Sequence, residues 1–332
     1  MNKKAHFEHY ARGKGRPQIV LVGNGLEYNS GQPSWEGLVN MLTVPDSIKL
    51  DPKDQKRLPF PLLYELLSSH APAPHQLSEK DINEEQERLR AAMLTLSNKS
   101  NFLLDILPTL GADHIFTTNY SYCIEKAFYP EMDFSLKKSR SKVRFNLNSE
   151  QKNGKRVREI CYRMHTGYLA KNDNGSDVGI WHIHGECSVP HGVVVGHDRY
   201  GRLLSRIETI IRSQKFNKNS GTPVLKQFTS WPELFLYGDI YFIGFGFNLC
   251  EYDLWWLLRR KQRERNADGN VYFYDKGTDK ENVIRNLFIQ AHGGIINPGI
   301  TEETDFDTFY KNALEDISRK ISVNRQLIIP DE

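Results

Sequence analysis

The chain has 332 residues and a mass of 38.4 kDa; 39% of the residues are hydrophobic, 11% aromatic and 26% charged, and the formal net charge is +3. This is enough for one large α/β domain with helical insertions and excludes an intrinsically disordered chain. Apolar runs such as Ile240 to Phe247 fall far short of the roughly 20 residues of a membrane-crossing helix, and so small a net charge gives no electrostatic case for nucleic acid as the direct substrate.

The first predicted element is the apolar run Pro17 to Val22, which breaks at Gly23-Asn24-Gly25 and leads to a helix around Trp35 to Leu42: strand, tight turn, helix. Leucines at helical spacing from Asp51 to Leu110 read as inserted helices. Asp113 to Asn119 is a short apolar strand ending in polar residues, followed by a helix over Tyr122 to Phe128. Charges and Asn-Asp-Asn-Gly dominate Met132 to Gly179, giving a loop-rich connection with one or two short strands. Ile180 to Gly185 and Gly192 to Gly196 read as strands, and a helix-rich insertion follows over 199–236. The strand Asp239 to Gly244, a helix around Leu254 to Arg265, the strand Val271 to Tyr274 and a helix near Glu281 to Ala291 complete the pattern. Nearly continuous apolar strands alternating with helices predict a doubly wound, mainly parallel Rossmann-like sheet in a single domain, 1–332, with insertions at about 51–110 and 199–236.

Cys123, Cys161, Cys187 and Cys250 stand singly with no C-x-x-C pair, which argues against a disulfide framework and a structural zinc module. Met1 to Arg16 is polar and basic and lacks the apolar core of a secretory signal, so a cytoplasmic location is expected.

Ligands of open parallel sheets bind outside the carboxyl ends of the strands. Four such ends are polar or glycine-rich: Gly23 to Trp35, Thr117-Thr-Asn-Tyr-Ser121, His182-Ile-His-Gly185 and Gly244-Phe-Gly-Phe-Asn248. A glycine turn lets the backbone approach a phosphate at a helix start, but Tyr28 stands where a dinucleotide fingerprint has its third glycine. In their order these segments resemble the sirtuin-like family, in the form that consumes NAD+ in bacterial anti-phage defence. The family's signatures are a glycine turn leading to small-Gly-x-Pro, a Thr-Thr-Asn-Tyr-Asp segment, a His-Gly segment and a late glycine turn.

The resemblance implies that NAD+, as substrate, lies across the strand ends and is cleaved to nicotinamide and ADP-ribose. It casts Asn119 as the residue positioning the nicotinamide ribose or a water, and His184 as general base, a role suited to an imidazole. NAD+ contacts fall to Gly23, Asn24, Gly25, Pro33, Thr118, Ser121, Gly244, Gly246, Asn248 and Tyr274, the last bordering the adenosine half. It also implies a homo-oligomer, a toxic effector of abortive infection, and a separate sensor or HerA-like ATPase partner. Ser121 replaces the family's usual aspartate, Asn24 its alanine, and no zinc is expected.

Blander readings stand beside these. Asn119 is also a good helix cap, and His182 and His184, on one strand face, suit a metal site with His165, His191 or His197. A nucleotide sensor without catalysis would keep the glycine turns. Asp253 either contacts ligand or starts a helix, the second reading being favoured, and the basic runs Arg259 to Arg265 and Lys137 to Arg144 read as solvated faces or a protein interface.

Overall fold

The computed structural model describes residues 16–28, 34–43, 49–55, 57–68, 84, 87–91, 93–94, 101–147, 163–189, 192–212, 228–264, 267, 269–276, 280–296 and 305–326. In chain order these form β1 (Gln18–Val22), α1 (Asn24–Glu27), α2 (Trp35–Leu42), α3 (Pro52–Gln55), α4 (Phe60–Ser68), a 3-10 turn (Leu104–Thr109), β2 (His114–Thr117), α5 (Cys123–Phe128) and α6 (Lys137–Val143). There follow β3 (Arg144–Asn146), β4 (Thr166–Lys171), β5 (Asp177–His182), α7 (His197–Arg212), α8 (Trp231–Tyr237), β6 (Asp239–Ile243), α9 (Tyr252–Arg263), β7 (Val271–Tyr274), α10 (Lys280–Ala291), β8 (Gly294–Ile296) and α11 (Phe306–Gln326).

The strands form one sheet in the order β3-β4-β5-β2-β1-β6-β7-β8. The six strands from β5 to β8 run parallel, and β4 and β3 add antiparallel pairs at one edge. This is the expected doubly wound, mainly parallel Rossmann-like sheet. Alternation along β1 shows why both faces are covered: Val20 and Val22 join one core, Ile19 and Leu21 the other. On the first face lie α11 and the 3-10 turn; α7, α8 and α9 supply the second. The chain runs from β1 to β2 on one side and later returns to β6 on the other, so the strand order reverses beside β1, where a parallel sheet opens a crevice for ligand.

Three predicted elements differ. Residues 192–195 form no strand but pass over Gly185, joined to it through Val194 N–H donating to His184 C=O at 2.8 Å. The charge-rich connection contains α6 as well as short strands, and the long α11, whose Phe309, Ala313, Leu314, Ile317 and Ile321 are buried, had no counterpart among the predicted elements.

The basic runs are not uniformly solvated. Arg259 and Arg263 are exposed, but Lys261 is buried and donates to the carbonyls of Phe235 (3.2 Å), Leu236 (2.7 Å) and Gly238 (2.6 Å). It thus satisfies the orphan carbonyls at the end of α8, where the helix dipole favours a cation. Arg140, equally buried, donates to Phe134 C=O at 2.5 Å and Ser135 C=O at 2.8 Å. Replacing Lys261 with Met leaves those carbonyls buried without donors and is expected to lower stability by about 2 kcal/mol or more. A urea-unfolding midpoint equal to wild type would refute this capping role.

Candidate active site

The centre of the sheet's carboxyl edge is built by two glycine turns in contact. Gly23 N–H donates to Ile243 C=O at 2.9 Å and Gly25 N–H to Gly244 C=O at 2.7 Å. A Cβ on Gly23 would lie 2.4 Å from the Gly244 oxygen, and one on Gly25 2.8 Å from that same oxygen and 2.4 Å from the Tyr310 hydroxyl. Gly244 has φ +63, a conformation that favours glycine. The glycines are therefore demanded by each other, and what they offer a phosphate is bare backbone surface rather than their own N–H groups. Asn24 opens α1 between them. Gly246 and Asn248 are exposed; Arg285 donates to the Gly246 carbonyl at 3.0 Å, and Asn248 Oδ1 accepts from Cys250 N–H at 3.2 Å. Tyr274 is buried, its hydroxyl donating to Asp316 of α11 at 2.7 Å. Pro33 lies outside the described residues.

Next to these turns, β2 and β5 pair with Thr117 opposite His182, which sets the segments after them side by side. Thr118, Asn119 and Ser121 are all buried. Ser121 donates to Glu27 Oε2 at 2.7 Å, so a carboxylate from α1 stands beside the position that the resemblance gives to an aspartate. Burial raises the Glu27 carboxyl, while the Ser121 hydroxyl and the nearby Asn119 amide oppose that rise. Neither Asn119 Nδ2 nor Glu27 Oε1 has a hydrogen bond of good geometry. Asn119 N–H is held by Thr117 Oγ1 at 3.0 Å.

The two histidines of the motif differ in kind. His182 Nδ1 lies 2.9 Å from Asn119 C=O and Nε2 2.8 Å from Glu125 Oε1, so both ring nitrogens face acceptors. Only the imidazolium can donate twice. Burial alone would lower its pKa, but Glu125 beside it, with help from Glu186, lifts it to about 9. His182 is thus a charged structural post beneath Asn119.

His184 is wholly buried, and only Nε2 has a partner, Asp253 Oδ2 at 3.0 Å. Nδ1 lies 3.7 Å from Glu251 Oε2, beyond hydrogen-bond reach, and has no partner. Glu251 in turn accepts from Tyr200 at 3.0 Å, and the Tyr200 ring meets the imidazole edge to face. Burial opposes protonation of His184, but Asp253 and then Glu251 raise its pKa. Burial pushes the Glu251 carboxyl up to about 7 against the attraction of His184. Segment 192–195 crosses over this site, and Tyr120 ties it down by donating to Val194 C=O at 2.7 Å. Gly185, with φ +86, makes the crossing possible, since a Cβ there would lie 1.7 Å from the Gly192 oxygen. Among the described residues, His184, Glu251 and Asp253 are the group near enough together to hold a metal ion, but the Asp253 and Tyr200 hydrogen bonds already occupy part of that donor set.

Beside His182 a small cleft, with room for little more than one water, is lined by Arg163, Tyr168, Gly185 and Glu186 among others. Arg163 pairs with Glu186, which also accepts from Tyr122 at 2.5 Å and from Tyr168. Burial would raise the Glu186 carboxyl, but Arg163, His182 and Arg144 together hold it below its ordinary value.

Sequence reasoning thus placed Asn119 and His184 at adjoining strand ends but missed the carboxylates Glu27, Glu125, Glu186 and Glu251 around them and favoured a helix-start role for Asp253; all five are buried. Asp253 is no mere helix start, since its side chain is spent on His184. The available signal was acidic residues placed directly after glycine turns, as in Gly25-Leu-Glu27 and Gly185-Glu186.

Because its folded pKa of about 9 lies above the unfolded value near 6.5, His182 contributes stability that is present below pH 6.5 and lost as pH rises through 9. Between pH 7 and 8.5, before the buried thiols contribute, wild-type stability should fall by up to about 1.4 kcal/mol per pH unit more steeply than that of His182→Gln. Equal slopes in denaturant titrations across that window would rule out the charged post.

No curated protein matches this chain. One solved structure similar to it is a Sir2 protein with deacetylated p53 peptide and 3′-O-acetyl ADP-ribose, at 10% identity and a TM-score of 0.34, covering 92% of this chain and 95% of that one. The profile of the SIR2-like domain family matches residues 113–288, just over half of the sequence and the part that contains both histidines, Asn119 and the β6 turn. The chain therefore belongs to the SIR2-like domain family.

Proposed function

We propose that this chain is an NAD+ glycohydrolase that cleaves NAD+ to nicotinamide and ADP-ribose. The observation that carries the reading is a pair of buried polar atoms on neighbouring strand ends beside the glycine turns: His184 Nδ1, which lacks a hydrogen-bond partner, and Asn119 Nδ2, which has the Glu27 carboxyl beside it but no well-formed hydrogen bond. A buried donor or acceptor without a well-formed hydrogen bond is costly, so a pair of them at the crevice of a parallel sheet marks groups kept for a ligand.

In this reading NAD+ lies along the carboxyl edge of β1, β2, β5 and β6. Gly23, Asn24, Gly25, Gly244, Gly246 and Asn248 line the phosphate side, Thr118 and Ser121 the nicotinamide side, and Tyr274 the adenosine end. Asn119 donates to the nicotinamide ribose or to the attacking water, and His184 takes the proton. The C1′–N bond breaks with its electron pair leaving on nicotinamide, and a closed pocket limits solvent to the reacting molecule. Scattered cysteines and the missing C-x-x-C pairs weigh against a zinc-bearing peptide deacylase. The cell biology that accompanies this activity is depletion of NAD+ by a toxic effector of anti-phage abortive infection. A homo-oligomer in the cytoplasm, restrained by a sensor or a HerA-like ATPase, fits that role.

Purified protein incubated with NAD+ should release nicotinamide and ADP-ribose in equal amounts. Asn119→Ala and His184→Ala, checked for folding, should each lower kcat by about a hundredfold or more. Tight NAD+ binding with no cleavage, alone or with a genomic-neighbour protein, would replace the hydrolase by a nucleotide sensor.

A further inference from the structure

Resting on the hydrolase reading, we propose that Asp253 and Glu251 convert His184 into a one-sided base, with Asp253 fixing the proton on Nε2, Nδ1 accepting the substrate's proton, and Glu251 receiving it next. Both carboxylates are positioning residues that act through the imidazole.

The contrast with His182 carries the argument. Two residues apart on the same strand end, one histidine has both nitrogens hydrogen-bonded and the other only one. An unpaired buried polar atom is costly, so a bare nitrogen on a wholly buried imidazole at a strand end suits a partner that arrives with the ligand. His184 Nδ1 is bare although an acceptor stands 3.7 Å away and Tyr200 holds that acceptor in place. The acceptor therefore stands beside Nδ1 but about 0.5 Å too far for a direct hydrogen bond.

The 3.0 Å contact to Asp253 needs a hydrogen on Nε2, since a carboxylate only accepts. Neutral His184 then has its lone pair on Nδ1. When water attacks C1′, the O–H bond breaks and an N–H bond forms at Nδ1, while the electron pair of the C1′–N bond leaves with nicotinamide. The resulting imidazolium charge is matched by Asp253, and the Nδ1 proton passes, through a water bridging the 3.7 Å gap, to the Glu251 carboxylate, which releases it to solvent when the products leave. Glu251 is suited to this, because burial brings its carboxyl to about 7. Among the described residues, the groups coupled to the pair are acids: Asp253 from α9, Tyr200 from α7, Tyr120 from the turn after β2, and Cys250 from the turn after β6. The nearest cation in this set, Arg199, acts on Tyr120. His184 therefore supplies the positive charge of the site itself.

The test reads the imidazole directly before it reads turnover. In the full chain carrying 15N-histidine, with the His184 signal assigned from His184→Gln, neutral His184 should be the Nε2–H tautomer. Asp253→Asn should lower its pKa by about one unit or more and abolish that tautomer preference. In the NAD+ assay, Asp253→Asn should lower kcat by about a hundredfold or more with KM little changed. Glu251→Gln should move the acid limb of the kcat–pH profile to lower pH and lower its plateau by about tenfold. An Nδ1–H tautomer in wild type, a His184 titration unchanged in Asp253→Asn, or one tightly held metal ion per chain would overturn the proposal. If the tautomer and titration behave as stated but NAD+ is never cleaved, the carboxylate-held histidine stands and the hydrolase reading fails.

Discussion

The close approach of two backbone turns, Gly23 to Gly25 after β1 and Gly244 after β6, is the constraint on which the rest of the site depends. Five residues of β1 pair with five of β6 in parallel register, which brings both strands to their ends together. The chain must then turn away in two directions from one point, and Cβ atoms at Gly23 and Gly25 would sit 2.4 and 2.8 Å from the Gly244 oxygen. From that fused corner α1 departs carrying Glu27, and the segment after Gly244 leads to Glu251 and Asp253 at the start of α9. One geometric requirement thus delivers carboxylates beneath both Asn119 and His184.

Those carboxylates are expensive to bury, and the site shows graded compensation. Glu186 has Arg163, Arg144 and two tyrosine hydroxyls and stays below its ordinary pKa. Glu125 has the imidazolium of His182. Glu27 has the Ser121 hydroxyl and the Asn119 amide and Glu251 the Tyr200 hydroxyl, none of them a cation, and burial raises both. The carboxylates paired with cations lie towards the antiparallel edge, and those without a full counter-charge flank Asn119 and His184. Imperfect matching leaves Glu251 able to exchange a proton near neutral pH, beside a residue proposed to carry the chemistry.

Coverage matters as much as charge. His184 lies under segment 192–195, which Tyr120 fastens from the neighbouring strand end, and Gly185 gives way only because it lacks a side chain. On the other side, the Tyr310 hydroxyl of α11 lies against Gly25. Both contacts join elements distant in sequence, so closure of the site is a property of the assembled fold.

What the sequence determined by itself is whatever is coded locally. Apolar runs ending in glycine gave the parallel strands, since a strand covered on both faces has no alternation to disguise it. Asn119 and His184 were legible because each follows a strand directly and so must lie at its carboxyl end. Only the tertiary structure decided which histidine is charged scaffold and which keeps a bare nitrogen, because that turns on Glu125 and Asp253, which lie 57 and 69 residues away in the chain. It likewise turned Gly192 to Val195 from a predicted strand into a strap, Lys261 from a surface charge into a helix cap, and Asp253 from a helix start into the partner of an imidazole. Local pattern reports which face of an element is apolar; which polar atoms meet inside is set by the packing of elements far apart in the chain.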